Sequence, residues 1–170
     1  MTKVVIIGNA GGGKSTLCRR LGESLDIAVF SIDHIQWKPG WVLASTEEFD
    51  EKHQAILERD CWIIDGWGDW PALEQRFQEA DTIIFVDHPL YIHYWWAIKR
   101  QIKCIFRPRI DGPEGCPMLP MTWSLLKMIW RIHWESRPRL LSLIDTFAER
   151  KRVIHIQSPN ALGQFLRQYC

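Results

Sequence analysis

The sequence predicts an α/β fold, a three-layer sandwich built on a five-stranded parallel sheet. Three observations carry that prediction. Compact apolar runs recur at residues 4–7, 28–32, 61–65, 82–86 and 153–156, and strands that are apolar along nearly their whole length belong to sheets covered on both faces. Stretches of helical character separate them, at 14–25, 47–59, 72–79, 91–104, 121–135 and 139–150, as parallel crossovers require. The first run also leads straight into a glycine-rich turn, Gly8, Asn9, Ala10, Gly11, Gly12, Gly13, Lys14, Ser15 and Thr16, which satisfies the pattern G-x-x-x-x-G-K-[ST].

Each element has a local reason. The glycines let the backbone curl with its N–H groups pointing inward around a phosphate, Lys14 reaches the outer phosphates, and the Ser15 hydroxyl is placed to ligate Mg²⁺. Leu17, Leu21 and Leu25 give the following stretch one apolar face, and its positive end adds to the anion site. Thr46 is a candidate cap for the helix at 47–59, with Glu47 and Glu48 in its first turn. The third strand ends in Asp65-Gly66 and the fourth in Asp87-His88-Pro89, where Pro89 suits the first turn of a helix and the group reads as structural. Residues 106–120 break the rhythm, because Pro108, Gly112, Pro113, Gly115, Pro117 and Pro120 forbid a regular helix or strand. Lys99, Arg100, Lys103, Arg107 and Arg109 precede the first acid there, Asp111. That flank is either a solvated basic surface or a mobile lid carrying arginines over a triphosphate, and the lid is the reading adopted.

A length of 170 residues suggests one domain, 1–170, with a lid segment at about 104–120. The net charge of +1 gives no global field toward nucleic acid or membrane. The cysteines, five in number and widely scattered, form no C-x-x-C pair, so neither a disulfide framework nor a zinc ribbon is supported. The first strand begins at once, which leaves no room for a signal peptide, and no apolar run approaches the roughly 18 residues of a membrane span. A cytoplasmic location without a membrane partner is expected. Trp123, Leu126, Trp130 and Trp134 recur at helical spacing and read as a core-facing stripe.

The chemistry these residues suit is phosphoryl transfer, which needs a phosphate cradle, Mg²⁺, cations on the transferring group and an oriented acceptor. Asp65, at the carboxyl end of an apolar strand, is placed to support the metal together with Ser15, its alternative being a turn residue at a strand end. Asp33 closes the second strand at the same edge, where a carboxylate takes a proton from an acceptor hydroxyl, with the same alternative. Lys14, Asp33, Arg100, Arg107 and Arg109 are therefore the candidate catalytic residues.

With these motifs in place the chain resembles the adenylate-kinase-like P-loop kinases. More narrowly it resembles the small P-loop NTPases labelled "DNA topology modulation" or flagellar-regulator-related, through Pro39-Gly40-Trp41, Trp62-Ile63-Ile64-Asp65-Gly66, the segment from Arg109 to Pro117, and Arg137-Pro138. The resemblance implies a strand order 2-3-1-4-5 with the lid between the fourth and fifth strands. It also implies ATP and Mg²⁺ as cofactors, Asp65 in the metal-supporting position, Arg100, Arg107 and Arg109 as lid-type arginines, and the loop Gln157-Ser158-Pro159-Asn160 against the nucleotide base.

The acceptor side departs from the monophosphate kinases. No arginine occurs between Arg20 and Arg59, and Asp65-Gly66 is followed by Trp67-Gly68-Asp69-Trp70. Asp33, Asp69, Trp37, Trp41, Trp67 and Trp70 offer carboxylates and indoles, which repel a phosphate and suit a neutral or cationic acceptor bearing a hydroxyl. Arg76 is the nearby cation that would alter this. The expectation is an ATP-dependent kinase for an unidentified small molecule, with nucleoside monophosphates disfavoured. The alternatives are a nucleotide-binding regulator of DNA topology or gene expression, for which nucleic acid is a possible but less favoured partner, and a plain NTP hydrolase.

Overall fold

The computed structural model describes residues 1–106 and 112–170. Its elements, in chain order, are β1 (Lys3–Gly8), α1 (Lys14–Leu25), β2 (Val29–Ser31), α2 (Ile32–Gln36), the hairpin strands β3 (Trp37–Lys38) and β4 (Val42–Leu43), α3 (Thr46–Leu57), β5 (Trp62–Asp65), α4 (Trp70–Glu79), β6 (Thr82–Val86), α5 (Leu90–Phe106), α6 (Thr122–Arg131), α7 (Arg137–Phe147), β7 (Arg152–Ile156) and α8 (Pro159–Tyr169). A 3₁₀ turn, Leu119–Met121, opens α6, and a π turn, Ile132–Ser136, joins it to α7.

The main sheet is parallel, in the order β2-β5-β1-β6-β7. With its own strands counted alone this is 2-3-1-4-5, and the additional hairpin only shifts the labels. Val4, Val5, Ile6 and Ile7 on the central strand are fully buried, as a strand covered on both faces must be. Alternate side chains feed two cores. Val5, Ile7, Trp62, Ile64, Leu73 and Phe77 lie on one side, and Val4, Ile6, Leu17, Leu21, Ile63 and Leu162 on the other.

Sequence and structure differ at four places, the first being the cap of α3, which is Ser45, its Oγ accepting from the Glu48 N–H at 3.2 Å, and not Thr46. The second strand stops at Ser31, and Ile32 begins the short helix α2, so Asp33 stands on a helical first turn instead of a strand end. The hairpin of β3 and β4 and the C-terminal helix α8 are absent from the sequence reading. Helix α8 is amphipathic and capped by Ser158, whose Oγ accepts from the Ala161 N–H at 3.1 Å. The tryptophan stripe of α6 also points the other way: Trp123, Trp130 and Trp134 are exposed, and Leu125 and Ile129 fill the buried face.

Candidate active site

The glycine loop runs from β1 to α1 at the carboxyl end of the sheet, with three of its glycines at positive φ, Gly8 at 149°, Gly11 at 72° and Gly13 at 80°. Two of these positions have no room for a side chain. A Cβ on Gly8 would lie 2.1 Å from the Val86 carbonyl oxygen, and one on Gly11 would lie 2.4 Å from that of His93. The loop is therefore pressed against β6 and α5, and only glycine takes these shapes at that distance.

Groups distant in sequence hold the loop in place. The Trp67 indole N–H donates to the Gly8 carbonyl at 3.0 Å. The Asn9 side chain accepts from the Ala10 N–H and donates to the Ile129 carbonyl of α6, both at 2.8 Å. Asn9 thus uses its amide as an anchor and leaves only its backbone for a phosphate. His93 Nδ1 lies 3.0 Å from the Ala10 carbonyl, which requires the tautomer that carries the proton on Nδ1. Burial pushes the His93 pKa down to about 4, so the ring is neutral at pH 7. Trp96 and Leu162 bracket Gly13, which brings the first turn of α8 beside the cradle, with Pro159 and Asn160 on that helix and not in a loop.

At the mouth of the cradle Lys14, Ser15 and Asp65 converge. The Ser15 hydroxyl donates to Asp65 Oδ2 at 3.4 Å, and Lys14 Nζ sits 4.0 Å from Asp65 Oδ1 while donating to the Asn9 carbonyl at 3.0 Å. Asp65 is buried at the end of β5, in register with Ile6 and Ser31 on the flanking strands. A hydroxyl beside a buried carboxylate is the hard-oxygen donor set that Mg²⁺ prefers, so these residues fit that ion. A cleft of about 480 Å³ opens here, walled by Ser15, Cys18, Val29, Ser31, His34 and Asp65.

Asp33 follows Ser31 by two residues and is half-buried on the first turn of α2. Its position depends on Gly66. With φ at 117°, a Cβ on Gly66 would lie 2.9 Å from the Ile32 Cβ, so this glycine admits the start of α2 and not a ligand. Of the lid-type arginines, Arg100 is half-buried on α5, one turn beyond the Trp96 and Ala97 that pack on the glycines. Arg107 and Arg109 lie outside the described residues.

Arg76 does not face an acceptor. It is fully buried, and its guanidinium donates to the carbonyls of Ala72 at 3.1 Å, Gly66 at 2.7 Å and Trp67. Burial lowers its pKa to about 10, against the opposing pull of Asp65 and Asp69, and it remains a cation at pH 7. A different arginine meets the tryptophans, in a surface hollow apart from the cleft at Ser15 and Asp65. The exposed Arg139 of α7 lies 4.1 Å over the ring of Trp70, which meets Trp67 edge-on. The sequence showed no signal for that contact, since Arg139 is sixty-nine positions away from Trp70.

Two further groupings were not legible in the sequence. Arg137 forks onto Asp87, Nε to Oδ1 at 2.7 Å and Nη2 to Oδ2 at 2.8 Å, and His155 Nε2 lies 2.9 Å from Oδ2. Those hydrogen bonds hold the Asp87 carboxyl below its ordinary pKa, although burial acts the other way. The hairpin is clasped to the segment before α6: the Gly40 N–H donates to the Gly115 carbonyl at 2.9 Å, and the Trp41 indole donates to the Pro117 carbonyl at 2.9 Å. Pro39-Gly40-Trp41 and Gly115-Cys116-Pro117, two separate motifs of the chain, are thus one contact.

No family model and no curated protein matches the chain. Solved structures do. A shikimate kinase from Acinetobacter baumannii in complex with shikimate aligns over 99% of this chain and 90% of its own, at 14% identity and a TM-score of 0.57. A gluconokinase from Sinorhizobium meliloti 1021 aligns over 99% and 89%, at 11% identity and a TM-score of 0.57. A shikimate kinase from Aquifex aeolicus aligns over 97% and 91%, at 16% identity and a TM-score of 0.52. What this chain shares with them, at such identities, is the fold of the P-loop kinases.

Proposed function

We propose that the protein is an ATP-dependent kinase for a small hydroxyl-bearing molecule. The observation that carries this reading is the meeting of Lys14, Ser15 and Asp65 at the mouth of a glycine cradle too tight for side chains. A plain phosphate-binding turn needs no buried carboxylate beside its serine.

In this reading the backbone N–H groups of Gly8 to Thr16 hold the triphosphate of ATP, and Lys14 swings from the Asn9 carbonyl onto the outer phosphates. Ser15 and Asp65 would hold Mg²⁺, which would supply charge neutralisation at the phosphates. Asp33 accepts the proton of the acceptor hydroxyl as its oxygen bonds to the γ-phosphorus and the bond to the β-phosphate oxygen breaks. Arg100, with Arg107 and Arg109 of a lid at about 104–120, offsets charge on the transferring group. The whole chain acts as one domain.

The acceptor side favours a molecule without a phosphate. Arg76, the cation that would otherwise hold one, is committed to three backbone carbonyls. Tryptophan surface at Trp67 and Trp70 suits the carbon face of a polyol or ring. The structural neighbours, a shikimate kinase crystallised with shikimate and a gluconokinase, lend this class support.

The test is the Asp33→Asn variant. It should retain ATP affinity within about twofold and lose at least about 10²-fold in kcat, since general-base catalysis supplies that much. An unchanged kcat removes Asp33 as the base.

A further inference from the structure

Helices α5 and α6 run antiparallel, as the contacts of Tyr94 with the Leu126 carbonyl and of Gln101 with the Met118 carbonyl require. Their shared buried seam holds Ala97, Leu125 and Ile129. Outward from that seam each helix carries a second line of large side chains at alternating spacings of four and three. On α5 it is Tyr91, Trp95, Ile98, Ile102 and Ile105, each between 43% and 70% exposed. On α6 it is Trp123, Lys127, Trp130 and, continuing into the π turn, Trp134, whose three indoles are 55–67% exposed. At about 100° per residue both lines fall on the same outer side of an antiparallel pair, so they form one surface. Among the described residues nothing covers this surface, and a contiguous exposed apolar surface of this extent marks an interaction site.

Charge identifies what it fits. Lys99, Lys103, Lys127 and Arg131 lie on or beside these two lines, all twenty acidic residues of the chain lie outside the two helices, and the acid that adjoins them, Glu135 of the π turn, lies 3.6 Å from Arg131. The net charge of +1 conceals that asymmetry. A second copy of the chain is a poor occupant, because two such faces would set lysine against lysine, and the acid at the edge of each, Glu135, is already paired with Arg131. Nucleic acid would accept the lysines and indoles but has no use for a row of exposed isoleucines. Isoleucines with indoles and a tyrosine beside them, and lysines long enough to lift their charge to the interface, are what an anionic bilayer surface accepts. The geometry points to a peripheral docking face on α5 and α6 for anionic lipid headgroups, with the apolar line seated at the level of the acyl boundary. The same helices hold the glycine loop through His93 and the Ile129 carbonyl.

Co-sedimentation of the full chain with two kinds of vesicle tests this. One kind is pure phosphatidylcholine; the other has a quarter of it replaced by phosphatidylglycerol. Binding to the anionic vesicles should be at least about tenfold tighter, because each lysine near such a surface adds to the affinity, and should weaken in high salt. The double variant Ile98→Glu with Ile102→Glu, exposed positions whose change leaves the unfolding midpoint in place, should lose at least about tenfold in affinity. Lys99→Glu with Lys103→Glu should lose the preference for anionic vesicles. Absence of binding, or equal binding to both vesicles, overturns the proposal. So does concentration-dependent dimerisation abolished by the same isoleucine changes, or an oligonucleotide that binds this face and displaces it from vesicles.

Discussion

His93 and Arg76 show how single buried side chains fix backbone, His93 at Ala10 of the glycine loop and Arg76 at Gly66 and Trp67 after β5. His93 donates from Nδ1 to the Ala10 carbonyl, and burial holds its pKa near 4, so the ring is neutral at pH 7. His53, buried against Phe49 and repelled by Arg76, is likewise pushed down to about 4. A histidine with an unfolded value of about 6.5 and a lower folded one binds its proton more readily when unfolded. Stability from each is full above about pH 6.5 and is lost as pH falls toward 4, up to about 3 kcal/mol apiece. Urea midpoints measured between pH 7.5 and 4.5 should fall, and His53→Phe should flatten that slope, since phenylalanine keeps the stacking and has nothing to titrate. An unaltered slope would refute the assignment to His53. For Arg76 the expected result is severe. Arg76→Met strands the Gly66 and Trp67 carbonyls in a buried site and should cost about 3 kcal/mol or more in denaturant unfolding. Arg76→Lys should recover little, because an ammonium cannot span the same carbonyls as the guanidinium fork.

At the scale of elements, the hairpin of β3 and β4 is tied to the segment that leads into α6. Gly115 has φ at 66°, and a Cβ there would lie 2.8 Å from the Pro39 Cβ, so the clasp needs glycine at this position. Gly115→Ala should destabilise the contact by about 1–2 kcal/mol. Trp41→Ala removes the indole bond to Pro117. In either variant the Gly40 amide should exchange its hydrogen faster than in the parent protein, and the acceptor KM should rise more than the KM for ATP. Parallel changes in both constants would mean that the clasp does not act at the acceptor end. None of this was legible in the sequence. A two-residue strand such as Trp37–Lys38 is too short for a periodicity, and its partner contacts across seventy-five positions leave no local trace.

Over the whole molecule, the parts that could be read from the sequence are those fixed by local pattern. Full-length apolar strands define a sheet buried on both faces, and the order 2-3-1-4-5 follows the resemblance to a known architecture. The glycine spacing locates the phosphate cradle because each glycine is demanded by a positive φ or a close neighbour. Long-range pairings carry no such signature. Trp67 holding Gly8, Asn9 holding Ile129, Arg137 on Asp87 and Arg139 over Trp70 all join residues whose proximity only the fold creates. The stripe of α6 fails for a related reason: a line at helical spacing reports that one face is apolar, not which side of the helix is covered. Among the described residues no helix is long and apolar enough to cross a membrane. In the proposed reading the donor end rests on named atoms and the acceptor end on its surface alone. The most direct test of the account is ATP consumption, with mass-spectrometric detection of phosphorylated product, across hydroxyl-bearing polyols, hydroxy acids, nucleosides and nucleoside monophosphates. The account predicts that one non-phosphorylated acceptor accelerates turnover, that its hydroxyl gains the phosphoryl group, and that Lys14→Ala abolishes the reaction. Turnover that no acceptor accelerates, or a nucleoside monophosphate as the best acceptor, would contradict it.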